Sequence, residues 1–285
     1  TIVQFHIQPK GVEEVFMIRA EISKKTKMSL MAFSVVLMVL GYSYVSHRQH
    51  VKNPNDTTLP SWGQMYDGML NATITQESSL DGGWLLEDIE ATSIRLFGGF
   101  FLSMFIGVIL GMLMGCFNRI HALLIIPISV GANIPPTAVT PVFFALVGIG
   151  LQLHLSVLLL GIVPAFAMGV NLVAREFPDE LKYKAYMLGN SHFEVMERNF
   201  KFSLPKIIEH VRAQVGPAIV YLVASEMLVS GEGMGFRIRL LSKKLEMDVV
   251  YPYIMLLALF GFLFKLFLKQ SIDWVSPWFN KQQAR

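Results

Sequence analysis

From position 122 to position 173 the chain runs 52 residues without an Asp, Glu, Lys or Arg. As a single α-helix, rising 1.5 Å per residue, that stretch would be about 78 Å long. A bilayer's hydrocarbon core is about 30 Å thick and is crossed by about 20 apolar residues. The run is too long for one crossing and too apolar for an ordinary soluble helix, so it must cross at least twice. The break is expected at residues 148–154, where Gly148, Gly150, Gln152 and His154 gather.

Other segments repeat the pattern. Residues 28–45 and 96–116 carry no charge, and residues 213–229 contain one acid, Glu226. A last apolar run covers residues 249–264. The expected fold class is thus an all-α membrane protein with six transmembrane helices. Composition agrees: 53% of residues are apolar and only 16% are charged, against roughly 25% charged in a soluble domain. The net charge of +3 is too small to suggest a nucleic-acid partner. A single cysteine, Cys116, excludes an internal disulfide and a cysteine-rich metal site. The first apolar run follows a basic stretch and has no cleavage pattern behind it, so a retained helix is expected rather than a signal peptide.

Lys and Arg favour cytoplasmic loops. With both termini inside, the inner segments hold 17 basic residues against six in the outer segments 46–92 and 230–248. The expected division is a cytoplasmic segment 1–27, a transmembrane domain 28–268 and a cytoplasmic tail 269–285. Arg237, Arg239, Lys243 and Lys244 fall in an outer loop, where a short surface helix with solvated charges would accommodate them. The outer loop 46–92 is expected to hold short interfacial pieces, with Trp62 and Trp84 at headgroup level.

The inner segment 174–212 is unusual, with 13 charged residues in 39 positions between apolar spans. A helix ending at Gly189 and a second one stopping before Pro205 would lie across the membrane plane, a shape suited to docking on another protein. Ala185, Gly189, Leu204 and Pro205 resemble the "EAA" loop of type I ABC-importer permeases, although Tyr183 and Lys184 replace the opening Glu-Ala. Further segments resemble the branch of that family that carries nitrate, sulfonates, taurine and bicarbonate. Ala132, Pro135, Pro136, Ala138, Pro141, Phe144, Gly148 and Gly150 follow its proline-rich segment. Ala224–Met227 and Gly231–Gly235 resemble its "AEM" and "GLG" segments, and Asp248–Val250 with Trp274, Pro277 and Trp278 fits its last helix and tail.

The resemblance implies a permease fold with a cytoplasmic coupling helix at residues 183–205. Its ATPase contacts would come from Ala185, Gly189, Asn190, Ser191, His192, Phe193 and Pro205. It also implies a bacterial inner-membrane setting with a second permease copy, two ABC ATPase subunits and an external or lipid-anchored solute-binding protein. The chain has no Gly-x4-Gly-Lys-Ser/Thr phosphate loop. No cofactor is expected on this chain, and ATP and Mg belong to the partner ATPase. The cargo would be a small anion of the nitrate, bicarbonate, taurine or alkanesulfonate class, with an organic cofactor precursor as the alternative.

Broken backbone at membrane depth is tolerated chiefly beside protein or a wet cavity. Asn133, Pro135, Pro136, Thr137 and Thr140 are therefore expected to line the translocation path, together with Glu226. An acid within a span is costly unless it faces protein or water. Arg95 opens the second span at the depth where Glu226 closes the fifth, so the two are expected to pair as an outer gate. The glycines at 98, 99, 107, 111 and 115 suit close helix packing. His121 and His154 lack companions at metal-ligand spacing, and structural roles are expected. An intramembrane enzyme would need a nucleophile with its base, or facing His pairs, and the spans offer neither. A non-transporting scaffold is the remaining rival, and copurification of an ATPase would separate it.

Overall fold

A computed structural model describes residues 23–53, 56–74 and 83–275. Among them the regular structure is entirely helical. Most of segment 1–27 and the end of the tail, with Pro277 and Trp278, lie outside the described residues. The chain divides into two units, residues 1–61 and 62–285. The first holds α1, Lys24–Lys52, whose apolar run begins at Met28. Within that unit Tyr42 and Ser46 donate to the carbonyl of Pro60.

The second unit contains α2 (Trp62–Ile74), α3 (Gly83–Cys116), α4 (Asn118–Asn133), α5 (Pro136–Val147), α6 (Leu151–Arg175), α7 (Asp179–Met187), α8 (His192–Val229), α9 (Met234–Lys244) and α10 (Met247–Val275). By length and composition α1, α3, α6 and α10 can each cross a membrane. Two bent pairs, α4–α5 (100°) and α8–α9 (58°), raise the number of candidate spans to six when each counts as one. The expected six are thus accounted for, with two of them broken.

Small residues explain why α3 and α6 lie so close. Gly99, Ser103, Gly107, Gly111 and Gly115 recur every four positions and share one helix face. A Cβ at Gly99 would stand 2.3 Å from Cδ1 of Leu158, and one at Gly107 2.5 Å from Cδ1 of Phe166. At Gly111 and Gly115 it would meet Cβ of Val170 at 2.5 Å and Cβ of Ala174 at 2.4 Å. Gly98 faces elsewhere, with only an ordinary 3.7 Å contact to Leu155. The core continues from this seam into α8 and α10, where Phe97, Phe100, Phe260 and Phe264 pack edge to face. By contrast α4 has no buried residue, and α5 buries only Pro136 and Thr140.

Three expectations are corrected. The long apolar run is broken twice, at residues 134–135 and again at residues 148–150, where Gly148 and Gly150 take φ of 76° and 139°. Gln152 and His154 lie inside α6, and His154 is buried, its Nδ1 2.9 Å from Oγ of Ser225. Ser225 donates to the Leu222 carbonyl, which leaves its oxygen to accept from the imidazole. Secondly, Pro205 does not stop a helix. α8 runs through both Pro205 and Pro217 for 38 residues, about 57 Å. Proline deprives the carbonyl four residues back of its donor. For Pro205 that residue is Lys201, which is exposed, so water can serve it, while Ser203, Pro205 and Ile207 stay buried against the bundle. Thirdly, α9 is not a surface helix with freely solvated charges. Met234, Gly235, Ile238 and Leu241 are buried, and Arg237 is tied to α3.

Candidate functional site

Three places hold the residues singled out from the sequence: an ion network around the α8–α9 turn, the α7–α8 turn at the other end of α8, and the α4–α5 break.

The network begins on one face of α3. Asp88, Thr92 and Arg95 stand at i, i+4 and i+7 and therefore point the same way. All three are buried. Arg95 Nη1 donates to Glu226 Oε1 at 3.1 Å, to Ser230 Oγ at 3.2 Å and to the Glu232 carbonyl at 2.9 Å. Its Nη2 meets the half-exposed carboxylate of Glu232. Glu226 is 0% exposed. Besides Arg95 it accepts from Thr92 Oγ1 at 3.0 Å and from the Gly235 amide at 2.9 Å. The structure thus brings Arg95 and Glu226 together.

A second centre adjoins the first. Asp88, also 0% exposed, accepts from the Gly233 amide at 2.9 Å, from Arg237 Nε at 2.8 Å and from Tyr253 Oη at 3.1 Å. The Arg237 guanidinium lies 4.5 Å from the Trp84 ring centre, and that ring stacks on Tyr253. Gly233 has φ +103°, and a Cβ there would stand 2.7 Å from Glu226 Oε1 and 2.8 Å from Arg95 Nη1. The turn can approach the ions only as glycine. Asp88, Thr92, Ser230, Glu232 and Tyr253 were not singled out from the sequence, and Arg237 was expected only as a solvated surface charge. The spacing of Asp88, Thr92 and Arg95 on one helix face was the available signal.

At the other end of α8, helix α7 closes on Gly189, φ +83°, in a Schellman arrangement. The Asn190 amide donates to the Ala185 carbonyl and the Gly189 amide to that of Tyr186. Ser191 then opens α8 with a capping box: its hydroxyl accepts from the Glu194 amide, and the Glu194 carboxylate accepts from the Ser191 amide. Those bonds hold the Glu194 carboxyl below its usual pKa. The Asn190 side-chain oxygen accepts from Arg198, and the Tyr186 hydroxyl lies 3.0 Å from Nδ1 of His192. Residues 183–205 are therefore the end of α7, a fixed turn and the first third of α8, not one helix. Ala185 and Pro205 are buried, whereas Met187 (89%), Leu188 (67%) and Phe193 (73%) are exposed.

The α4–α5 break falls at Ile134 and Pro135. Asn133 and Pro135 are exposed, Thr137 is half-buried, and Pro136 and Thr140 are buried. Pro136 presses on Gly161 of α6, and Thr140 donates to the Pro136 carbonyl. The break residues therefore divide between a free face and a packed one, and Glu226 has its carboxylate enclosed in the ion network. His121 lies in the first turn of α4, and its buried Nδ1 has no hydrogen-bond partner among the described residues.

Residues 104–281 match the family of binding-protein-dependent transport system inner membrane components, and the chain belongs to that family. It is a multi-pass inner-membrane ABC-importer permease. It is 25% identical to the taurine transport system permease of Escherichia coli over 79% of this chain and 82% of that protein. A putative ABC transporter permease of Methanocaldococcus jannaschii is 27% identical over 88% of this chain and 91% of its own. The formylaminopyrimidine transport permease of Halalkalibacterium halodurans is 25% identical over 68% and 78%. The fold is shared with a chain of the inward-facing MetNI methionine ABC transporter, at a TM-score of 0.60 and 16% identity over 67% of this chain and 97% of that one.

Proposed function

We propose that this chain is one of two identical permease copies forming the path for a small sulfonate-class anion such as taurine, delivered by an external binding protein. The observation that carries this substrate reading is the similarity to the taurine permease along four-fifths of both chains. ATP is bound with Mg and hydrolysed on two partner ATPase subunits, which the α7–α8 turn engages from the cytoplasm. Exposed Met187, Leu188 and Phe193 give that turn an apolar tip, while the Schellman and capping-box bonds keep it rigid enough to transmit force. The ion network closes the opposite, outward end, and Asn133, Pro135 and Thr137 border the path between the copies.

A second reading is import of a neutral organic precursor, favoured by the similarity to the formylaminopyrimidine permease. Uptake into proteoliposomes holding the permease, its ATPase and its binding protein distinguishes the two. ATP-dependent accumulation of labelled taurine or an alkanesulfonate supports the first reading. Accumulation of formylaminopyrimidine alone replaces it with the second.

A further inference from the structure

Depth in the bundle can be measured along α8. Its Asn199 donates to the Ala174 carbonyl near the C-terminal end of α6, and its Glu226 sits in the ion network at the other end. At 1.5 Å per residue the two lie about 40 Å apart, the thickness of a bilayer with its headgroups. Arg212 falls midway between them. Gly216 is one turn nearer the network, and a Cβ there would stand 3.3 Å from Nζ of Lys265 on α10. Phe264, the preceding residue, packs against Phe97 and Phe100 of α3, about 24 Å short of that helix's end at Cys116. Arg212 and Lys265 therefore both lie near the middle of the apolar layer. The sequence conceals this, because Lys265 directly follows the last apolar run and reads as the residue that ends it.

Neither cation is matched. Among the described residues Arg212 is half-buried and Lys265 exposed, and neither makes an ion pair or a side-chain hydrogen bond. Charged side chains at this depth face protein or water and mark the routes of polar solutes. The backbone of the same face gives a second, independent reason for water. Pro217 cannot donate to the carbonyl of Ala213, an exposed residue beside Arg212. An unserved carbonyl at membrane depth is tolerated only beside protein or a wet cavity. Glu209, three residues before Arg212 on this face, makes no ion pair either, so the face carries two cations to one acid. It also adjoins the α4–α5 break, because Pro136 and Tyr221 of α8 meet over Gly161.

We propose that Lys265 and Arg212 form an anion site midway along the translocation path, where the sulfonate group of the cargo is held in transit. The choice of a sulfonate rests on the substrate reading above. The ammonium offers three donors on a compact charge and the guanidinium a planar fork, which together serve the three oxygens of a sulfonate. Gly216 lets the ammonium lie against α8, where any side chain would displace it. Glu209 limits the net charge of the site to one, so that an anion is attracted but can leave, as conduction requires.

The test uses the assembled transporter in proteoliposomes, with the permease in a Cys116→Ser background. Ala213→Cys puts a thiol beside the site. A thiosulfonate reagent bearing a sulfonate should modify it faster than one bearing a trimethylammonium group, each rate taken relative to a free thiol. K265Q should cut that preference about tenfold, the scale of one charge-assisted contact, and K265R should keep it. In uptake assays K265Q should raise the KM for taurine about tenfold with a smaller change in maximal rate, and K265R should restore it. A wild type that takes up no sulfonate while the thiol keeps its preference overturns the cargo reading and leaves the anion site standing. Should Ala213→Cys fail to assemble, Val220→Cys, exposed two turns along the same face, is the second probe. Thiols silent to both reagents, a preference that K265Q and R212Q both leave unchanged, or a taurine KM that K265Q does not move overturns the proposal.

Discussion

Arg237 reaches back across 149 residues to place its Nε 2.8 Å from the buried carboxylate of Asp88. That bond joins α9 to α3, and the Tyr253 hydroxyl on the same carboxylate joins α10 to both. Removing one member of a buried ion pair leaves the other uncompensated, which costs about 3–5 kcal/mol. D88N keeps an acceptor for the Gly233 amide but turns a donor or a neutral oxygen towards Arg237. A lowered thermal unfolding midpoint is expected. Removing the ring but not the ion pair, as in Trp84→Leu, should cost about 0.5–1 kcal/mol for the cation–π contact, together with the stacking on Tyr253. A D88N midpoint equal to wild type would show that α9 is held by its apolar face alone.

The α3–α6 seam makes a sharper packing prediction. At Gly111 an added methyl would lie 2.7 Å from the Ala167 carbonyl, which is backbone and cannot rotate away. Overpacking of this kind costs about 1–3 kcal/mol. Gly98→Ala, which would make only an ordinary 3.7 Å contact with Leu155, should be close to neutral. The pair of midpoints checks this, and equal effects would mean the helices separate freely.

How much could be read from the sequence depends on the range of the interaction. Charge-free runs and four-residue glycine spacing are local, and they located the spans and the α3–α6 seam. The Arg95–Glu226 pair was also legible, because two charges at one membrane depth have few other partners. The hub around Asp88 was not, since its partners come from the α8–α9 turn, α9 and α10. Asp88 sits on the part of α3 that precedes the apolar run and reads there as an ordinary loop acid. The fate of Pro205 was misread for a different reason. Proline's cost is local, but whether a helix continues past it depends on packing around Ser203 and Ile207, which only the folded bundle supplies.

Gly189 separates backbone from space. Nothing lies within 4 Å of an added Cβ, yet φ is +83°. The constraint is conformational, about 1–2 kcal/mol for an L-residue in the left-handed region, with Asn the most tolerant. ATPase stimulation in the assembled complex should therefore fall in the order Gly189, Asn, Ala, Val. A loss that tracked side-chain volume, with Asn worse than Ala, would point to crowding by the partner subunit instead.

Cysteine substitution should divide the α4–α5 break into two faces. In a Cys116→Ser background, Asn133→Cys and Pro135→Cys should react with a water-soluble thiol reagent if they border the path. Pro136→Cys and Thr140→Cys should not, because both positions are buried. Uniform silence from 133 to 140 would remove this segment from the path.

Charge reversal at Arg95 and Glu226 is the obvious test of their pairing, and the surroundings predict that it fails to restore function. Arg95 serves Glu226, Ser230 and the carbonyl and carboxylate of Glu232. Glu226 accepts from the Gly235 amide and from Thr92 as well as from Arg95. Each side chain thus sits among groups of fixed polarity: acceptors around the cation, donors around the anion. Arg95→Glu would set an acid against Glu232 and a backbone carbonyl. Glu226→Arg would point N–H groups at the Gly235 N–H. Exchanging the two charges keeps their mutual attraction and inverts every other contact, so the double reversal should transport no better than either single one. Neutral variants avoid that difficulty. E226Q leaves the buried guanidinium only the half-exposed Glu232 carboxylate, so its cost should fall below the roughly 3–5 kcal/mol of a fully stranded charge. R95M strands the buried acid, and the pair R95M with E226Q removes both charges of this contact. The double variant should therefore be more stable than the sum of the two single losses, by more than about 1 kcal/mol. Thermal midpoints for all four proteins measure that coupling, and uptake assays report whether the network also gates. Additive losses would mean that Glu232, not Glu226, carries the interaction with Arg95.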